Sequence, residues 1–375
     1  MYYSKHNSYR LILALLLMMA SIYANADKPD LKFRRLDTRN GLSNSQVNCI
    51  LKDSKGFVWI GTQYGLNRYD GYRFREFHSN IKDSTALLSD YVDNLFEDVD
   101  GRIWVQQELK YCVYDPKTEQ FEQNLSPWLN KAGVEGAVEK VYIDKRKNYW
   151  IKVWGGKLYY YNPSKNIKSN FVVDDAKYGP NSGLSSFDSY GKHTVMILKN
   201  GVIAALDGDK GKVVWVSNYV KQRQTADVVN NSIYIDHDRN YWVMTDGDCY
   251  VYMQKTRKWY NGVNHLLRKL GFADVPKVEM VTSAMEDRNG HMFLGTNHSG
   301  LFVLDFAKKR IYQYEKDINN ETSFSDINVV CLYLDRSGQM WIGTYMGGVN
   351  QVVFGNTYVS NLKTGSVNTV TEDKD

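Results

Sequence analysis

The stretch that decides the fold is Asp53-Ser54-Lys55-Gly56-Phe57-Val58-Trp59-Ile60-Gly61-Thr62, in which an Asp stands six residues before a Trp with a Gly between them. The spacing recurs at Asp98/Trp104, Asp144/Trp150, Asp236/Trp242, Asp335/Trp341, with Phe at Asp287/Phe293, and in degraded form at Asp188/Thr194, where Gly191 keeps the turn. Successive copies are 44 to 51 residues apart. A period of this size with four short strand patterns is typical of a β-propeller blade.

Each copy is interpreted as four antiparallel strands. In the first copy we expect an innermost strand at 47–52, a tight turn at 53–56, and further strands at 57–62, 65–70 and 73–77. Asp and Gly suit the turn, because Asp can hydrogen-bond its own backbone and Gly accepts a positive φ. A large aromatic side chain after the turn is predicted to pack between neighbouring blades. These predicted core residues are Trp59, Trp104, Trp150, Trp242, Phe293 and Trp341.

The sequence therefore predicts an all-β chain: a seven-bladed β-propeller of four-stranded antiparallel blades. The last copy lacks an outer strand, and residues 31–37 resemble the outer strand of the first copy. We expect this N-terminal strand to complete the last blade and leave no open edge in the ring. Deleting residues 27–38 is then expected to lower the melting temperature sharply.

Composition narrows the class of protein. The chain has 375 residues, 43% of them hydrophobic and 14% aromatic, and a net charge of +5 without any run of Lys or Arg. No nucleic-acid-binding surface is predicted from such scattered charge. Of the four cysteines, Cys49 and Cys331 fall at the same place in two copies. That repetition favours small buried positions with free thiols over disulfides or a zinc site.

Both ends of the chain differ from the repeats. Lys5 and Arg10 precede an apolar run at 11–20, and the triplet 24–26 has the small-x-small pattern of a signal-peptidase site. Residues 1–26 are therefore predicted to be a signal peptide, with an uncleaved membrane anchor as the alternative. Residues 27–354 would form the propeller. Residues 367–375 align with 47–55, so 355–375 is interpreted as a linker and the start of a truncated second propeller; the alternative is a polar tail.

The repeat resembles the two-component regulator propeller repeat. The residues that carry the resemblance are 53–62 with Gly65-Leu66-Asn67-Arg68-Tyr69-Asp70, 335–344 with Gly348-Val349-Asn350, and the opening at 40–47. The resemblance implies the periplasmic sensor region of a hybrid two-component histidine kinase whose parent is anchored in the inner membrane. It also implies downstream partners in the parent, namely a second propeller, an immunoglobulin-like domain, a kinase and a DNA-binding regulator, and a homodimer.

Within that family the implied function is recognition of an oligosaccharide that switches on glycan-utilisation genes. The chain contains none of the downstream parts, so no kinase activity, catalytic residue, cofactor or metal site is predicted. Sugars are bound by aromatic faces together with amide or acid groups. The loops between second and third strands supply the candidates for ligand binding: Gln63, Tyr64, Gln107, Trp154, Asp246, Asn297, His298 and Tyr345.

Other function classes remain open at this point. The stretch 205–215, ending in Trp215, is similar to the tryptophan-docking repeat of quinoprotein dehydrogenases, but occurs once and has Lys210 in place of Thr. A polysaccharide lyase and a protein-binding scaffold are also compatible with a propeller, because a fold does not fix a function.

Overall fold

The repeat folds as a four-stranded antiparallel blade. The computed structural model describes residues 29, 31–224, 230–246 and 248–354. Blade 1 consists of β2 (Val47–Lys52), β3 (Val58–Thr62), β4 (Leu66–Tyr69) and β5 (Phe74–Phe77), paired in that order from the inside outward. Each strand lies within about one residue of its predicted position.

Within the described residues the strands form seven such sheets, and the all-β, seven-bladed propeller is confirmed. Blade 2 contains β6 (Asn94–Glu97), β7 (Ile103–Gln107), β8 (Lys110–Asp115) and β9 (Gln120–Glu122), and blade 3 contains β10 (Val138–Ile143), β11 (Tyr149–Val153), β12 (Lys157–Asn162) and β13 (Ile167–Val172). Blade 4 contains β14 (Leu184–Tyr190), β15 (His193–Leu198), β16 (Ile203–Asp207) and β17 (Lys212–Ser217), and blade 5 contains β18 (Ser232–Ile235), β19 (Tyr241–Met244), β20 (Cys249–Met253) and β21 (Lys258–Asn261). Blade 6 contains β22 (Val281–Glu286), β23 (His291–Thr296), β24 (Leu301–Asp305) and β25 (Arg310–Tyr314), and blade 7 contains β26 (Val329–Leu334), β27 (Met340–Thr344) and β28 (Val349–Phe354).

The N-terminal strand closes the ring. Strand β1 (Leu31–Leu36) is the outermost strand of blade 7, in the order β1-β28-β27-β26, and the predicted closure is confirmed. The Phe33 ring meets Tyr314 and Phe324 edge-on, at centroid distances of 5.7 and 5.1 Å. Inner strand β2 of blade 1 lies against β26 of blade 7, so the first and last blades meet.

Residues 33–352 form one compact unit. The predicted signal peptide, the linker and the start of a second propeller lie outside the described residues. The loops carry three short α-helices among the described residues, α1 (Ser126–Ala132), α2 (Asp175–Tyr178) and α3 (Val263–Lys269), and a 3-10 helix at Thr38–Asn40. Across the described part of the chain, no helix has the length and apolarity needed to span a membrane.

Hydrogen bonds explain the six-residue spacing from Asp to Trp. One oxygen of Asp53 accepts the N–H groups of Lys55 and Phe57, at 3.0 and 2.9 Å. The other accepts the indole N–H of Trp59 at 2.8 Å. The turn and the buried aromatic residue are thereby fixed by one carboxylate, since a buried indole N–H needs an acceptor. The same Asp-to-indole bond forms at Asp98–Trp104, Asp144–Trp150, Asp236–Trp242 and Asp335–Trp341, at 3.0 to 3.3 Å.

Blade 6 has Phe293 where other blades have Trp, and a phenyl ring cannot donate a hydrogen bond. There His291 Nδ1 lies 2.9 Å from the Asp287 oxygen that an indole would otherwise occupy. The carboxylate therefore keeps two kinds of partner, the turn backbone and a side chain, even where the aromatic residue changes.

The Gly-Thr pair that begins two residues after Trp59 and after Trp341 explains the positions of Cys49 and Cys331. A Cβ on Gly61 would lie 2.5 Å from Cys49 Sγ, and one on Gly343 would lie 2.5 Å from Cys331 Sγ. The facing residue must therefore be small. The four cysteines are free thiols, as expected, and three of them are buried. Burial raises the pKa of Cys112 and of Cys331 to about 12, so both thiols stay protonated at neutral pH.

The degraded copy in blade 4 is displaced by one residue from its predicted alignment. In blade 1 the inner strand bulges between Val47 and Cys49, and Cys49 pairs with Gly61, two residues after Trp59. In blade 4 the inner strand bulges between Leu184 and Ser186, and Ser186 pairs with Ile197, so Val195 and not Thr194 occupies the Trp position. The alignment was wrong because no aromatic residue marks the register there.

A different set of contacts replaces the missing Trp of blade 4. Val195 packs toward blade 5 in a cluster that includes Tyr241 and Trp215. The Trp215 and Tyr241 rings stack at a centroid distance of 5.5 Å. Asp188 accepts the N–H of Ile235 in blade 5 at 2.7 Å and does not cap its own turn. Blade 4 is thus joined to blade 5 by the Trp215 ring of its outer strand and by the Asp188 carboxylate.

Candidate functional site

Antiparallel pairing divides the connections between two faces of the propeller. The "long-loop face" carries the segments between one blade's outer strand and the next inner strand, such as 78–93 and 262–280, and the loops between second and third strands. The "short-turn face" carries the remaining turns, such as 53–57 and 70–73. All three α-helices lie in segments of the long-loop face. All eight candidate ligand residues belong to this face because they lie between second and third strands or at the end of a second strand.

Backbone hydrogen bonds hold the second-to-third loops close to the starts of the inner strands. The N–H of Asn297 donates to Met280 O at 3.0 Å, and that of Tyr345 donates to Asn328 O at 3.1 Å. The same bond forms from Gln63 to Gln46 and from Trp154 to Ala137. The candidate loops are therefore placed toward the axis of the ring and not at its rim.

A groove across blades 5, 6 and 7 brings four of the eight candidates together: Asp246, Asn297, His298 and Tyr345. It consists of two adjoining cavities of about 420 and 470 Å³ that share Thr282 and Asn297. The remaining lining residues are Asn230, Ser232, Met244, Thr245, Met280, Val281, Asn328, Val329 and Val330. The groove is lined by amides, hydroxyls, apolar side chains, the Asp246 carboxylate, the His298 imidazole and the Tyr345 ring.

Local hydrogen bonds shape the groove. Asn328 Oδ1 accepts the N–H of His298 at 2.9 Å, and His298 takes a left-handed φ of 79°. Thr282 Oγ1 donates to Val329 O at 2.7 Å, which ties blade 6 to blade 7. Asp246 and Tyr345 are exposed at opposite ends of the groove. No Lys or Arg is among the described lining residues, so the groove offers hydrogen-bonding groups and little positive charge.

Sequence reasoning missed Thr282, Asn328, Asn230 and Ser232. They lie at the starts of inner strands or just before them, and strand patterns there suggested only scaffold. A usable signal was the run of Asn, Ser and Thr at 230–232, 282 and 328, since these residues recur just where the inner strands begin.

Gln107 does not reach the solvent, which corrects its prediction as a ligand residue. Its side chain is 1% exposed. Its oxygen accepts the N–H of Leu88 at 3.2 Å and the Cys112 thiol at 3.3 Å, and its amide nitrogen donates to Ser89 O. Gln107 therefore holds the 78–93 segment to blade 2.

Gln63, Tyr64 and Trp154 are exposed on the same face but outside the groove, on blades 1 and 3. Gln63 Oε1 accepts a hydrogen bond from Gln46 Nε2 at 3.1 Å. The Tyr64 ring lies 5.1 Å from the His78 ring. The structure thus does not bring these three together with the other candidates.

The six repeat aromatics, from Trp59 to Trp341, are all buried between blades. Among the residues that the structure describes, no group of three His, Cys, Asp or Glu side chains is arranged to hold a metal ion.

Two segments of the chain match a known family of repeats. Residues 41–64 and 323–346 match the family model of the two component regulator propeller. The chain thus carries the repeat that its motif resembles. Histidine kinase P4 of Formosa agariphila is 34% identical over 73 residues, which are 20% of this chain and 5% of the kinase. The chain therefore spans a small part of that relative.

Solved structures share the fold. The extracellular domains of hybrid two component systems BT3049 and BT4673 from B. thetaiotaomicron match 86% of this chain at 18% and 21% identity, with TM-scores of 0.65 and 0.63. The match covers 41% and 39% of those domains, so this chain spans about two fifths of their length. A streptogramin B lyase structure matches 86% of the chain at 12% identity, with a TM-score of 0.55.

Proposed function

We propose that this chain, a propeller of two component regulator repeats, is the ligand-recognising propeller of a hybrid two-component sensor, and that its ligand is an oligosaccharide. The observation that carries the proposal is the groove across blades 5 to 7. Its amides and hydroxyls can hydrogen-bond sugar hydroxyls, and Tyr345 offers a face for the apolar side of a pyranose ring. Concave sites with a few converging polar groups are where small ligands bind.

The proposal extends to the parent protein. We propose export by the signal peptide predicted at residues 1–26. From the resemblance of the repeat we also propose a periplasmic location in a full-length protein anchored in the inner membrane, with a second propeller, a kinase, a homodimer and glycan-utilisation genes as the output. A ligand can drive such a sensor only by binding one arrangement of it better than another. The chain itself is proposed to recognise and not to catalyse.

The quinoprotein alternative is not favoured by the position of its key residue. Trp215 lies on outer strand β17 and stacks on Tyr241 between blades 4 and 5. It therefore has a packing role like that of the repeat aromatics. The likeness to a lyase structure concerns the fold alone, and a fold hosts many functions.

The test begins with a glycan array on the purified chain, followed by calorimetric titration of the glycans that bind. Tyr345→Ala is expected to weaken binding roughly tenfold, because an aromatic contact of this kind contributes about 1 kcal/mol or more. Trp154→Ala is the matched control, since it removes an exposed aromatic residue of the same face outside the groove and is expected to leave affinity unchanged.

Two results would contradict the proposal. Equal glycan affinity of the unsubstituted chain and of the Tyr345→Ala and Asn297→Ala variants would show that the glycan binds outside the groove. Cleavage products found after incubation with a bound glycan would assign the groove to a lyase. Thermal melting of each variant confirms that the chain remains folded.

A further inference from the structure

The short-turn face exposes a strongly unbalanced set of charges. Its turns join first to second strands at 53–57, 98–102, 144–148, 191–192, 236–240, 287–290 and 335–339, and third to fourth strands at 70–73, 116–119, 163–166, 208–211, 254–257 and 306–309. These turns expose fifteen basic residues: Lys55, Arg73, Lys117, Lys145, Arg146, Lys165, Lys192, Lys210, Arg239, Lys255, Arg257, Arg288, Lys308, Lys309 and Arg336. They expose four acids: Asp70, Asp100, Glu119 and Asp238.

The other acids of these turns are buried, except Asp209, which is 20% exposed and pairs with Lys165. The repeat carboxylates other than Asp188 accept hydrogen bonds from turn N–H groups, most of them also from an indole. Glu97 is also buried and accepts the N–H of Ser54. A macromolecule that touches this face therefore meets ammonium and guanidinium groups and few carboxylates.

Ion pairs do not cover the cations. Lys145, Lys165 and Arg336 pair with acids at 3.0, 2.9 and 3.4 Å, yet their side chains remain 60%, 61% and 70% exposed. Lys55, Lys210 and Lys255 project from turns of blades 1, 4 and 5. The basic groups thus remain open to solvent and are distributed around the whole ring, with at least one from every blade.

The shape of the face and two of its apolar residues indicate what it fits. The turns are short, so the cations form a broad array around the axis and no long loop walls off a track for a linear polymer. Tyr72 is 91% exposed at the turn of blade 1, and Val99 is exposed at the turn of blade 2. Tyrosine is enriched where proteins meet the headgroup region of membranes, and basic clusters are attracted to anionic lipids.

We propose that the short-turn face docks on an anionic lipid bilayer, through its ring of exposed Lys and Arg with Tyr72 and Val99 at the lipid headgroups. Contact with a plane fits a broad array of cations better than contact with a narrow chain does. The groove on the opposite face then points away from the bilayer and stays open to ligand. This inference is independent of what the groove binds.

The experiment measures co-sedimentation of the chain with vesicles of phosphatidylcholine alone and of phosphatidylcholine mixed with phosphatidylglycerol, at low and high salt. Binding is expected only to the anionic vesicles and is expected to fall with salt, since screening weakens exposed charges. The triple variant Lys55→Glu, Lys210→Glu, Lys255→Glu is expected to lose affinity by roughly a hundredfold. Tyr72→Ala is expected to weaken binding by a smaller factor.

The matched control reverses three exposed lysines of the long-loop face: Lys82→Glu, Lys269→Glu and Lys316→Glu. Both triple variants change the net charge equally, so only the face differs. Retained binding in the control and loss in the short-turn variant support the proposal. Equal loss in both, equal binding to neutral vesicles, or binding to soluble heparin with none to vesicles overturns it. Melting curves show whether each variant is folded, and single reversals replace a triple variant that is not.

Discussion

The long-loop face and the short-turn face are built on the same seven blades, but they differ in loop length and in exposed charge. On the short-turn face, the turn between first and second strands is specified in six of the seven blades by a buried Asp that binds the turn backbone. In five of these blades the same Asp also binds a Trp. The exposed positions of these turns carry fifteen basic and four acidic residues. On the long-loop face, the described residues of the loops expose nine basic and eleven acidic residues, and the loops carry the helices and the groove.

The difference teaches where this fold permits variation. A turn of four or five residues whose first side chain is buried leaves only its tip free, and the tip can change in charge but hardly in shape. A loop such as 262–280 has room for a helix and for side chains that line a cavity. Loops on a rigid scaffold are the usual carriers of ligand binding. The long-loop face can therefore vary in shape, whereas the short-turn face can vary mainly in charge.

The largest expected effect concerns glycines of the two faces. Gly348 has a φ of 74°, and a Cβ there would lie 2.3 Å from Leu36 O at the end of the closing strand. Gly71 has a φ of 104°, with nothing within 4 Å of such a Cβ. Gly71→Ala is expected to cost about 1–2 kcal/mol of unfolding free energy through backbone strain alone. Gly348→Ala is expected to cost roughly 1–3 kcal/mol more, because the closing strand must move.

Urea denaturation of both variants measures this difference. Equal losses of stability would show that β1 does not press against Gly348. That outcome would also weaken the expectation that deletion of residues 27–38 lowers the melting temperature sharply.

A second, smaller effect concerns the acids beneath the short-turn face. Burial of Asp335 acts to raise its pKa, but hydrogen bonds from Lys52, Ser337, Gln339 and Trp341 outweigh burial and lower the pKa to about 2. A depressed pKa contributes stability above the ordinary value near 4, and that stability is lost as the pH falls toward 2. Asp335→Asn is expected to cost about 1–3 kcal/mol at pH 7.

The difference in unfolding free energy between the unsubstituted chain and Asp335→Asn should become smaller between about pH 4 and pH 2, because the Asp335 carboxyl also becomes neutral there. Denaturant titrations across this range measure it. Asp100→Asn, an exposed acid of the same face, is the control and is expected to change stability little. If this difference in unfolding free energy stays constant down to pH 2, the negative charge of Asp335 is not what stabilises the turn.

The smallest expected effect contrasts two histidines. His237, on the short-turn face, lies 2.5 Å from Glu286 and 3.3 Å from Asp238, and its pKa is raised chiefly by the hydrogen bond to Glu286. A raised pKa contributes stability below the ordinary value of 6.5 that is lost as the pH rises through the folded-state pKa. His237→Asn should therefore lower the melting temperature by about a degree at low pH, and less at high pH.

His265→Asn is the matched control on the long-loop face, where the exposed imidazole lies against Tyr260 and no acid is paired with it by a described ion pair. This variant measures what the loss of an exposed imidazole ring alone does to the melting temperature. A pH-independent effect for His237→Asn would show that its pair with Glu286 does not stabilise the junction of blades 5 and 6.

Much of the fold could be predicted because its signals are local. The Asp, Gly and Trp of each copy specify one hairpin, and seven hairpins at a regular period specify the ring and its closure by residues 31–36. Where the local signal was missing, the register was wrong by one residue: Val195 and not Thr194 occupies the aromatic position of blade 4. Only the packing against Tyr241 and Trp215 decides that register.

The sequence by itself determined the blades, the closing strand and the face on which the candidate loops lie. Only the tertiary structure decided that Gln107 turns inward, that Asp246, Asn297, His298 and Tyr345 share one groove, and that scattered basic residues gather on the opposite face. The physical reason is distance along the chain. Hairpins are specified by neighbours within about ten residues, whereas a groove or a charged face is assembled from segments one or more blades apart.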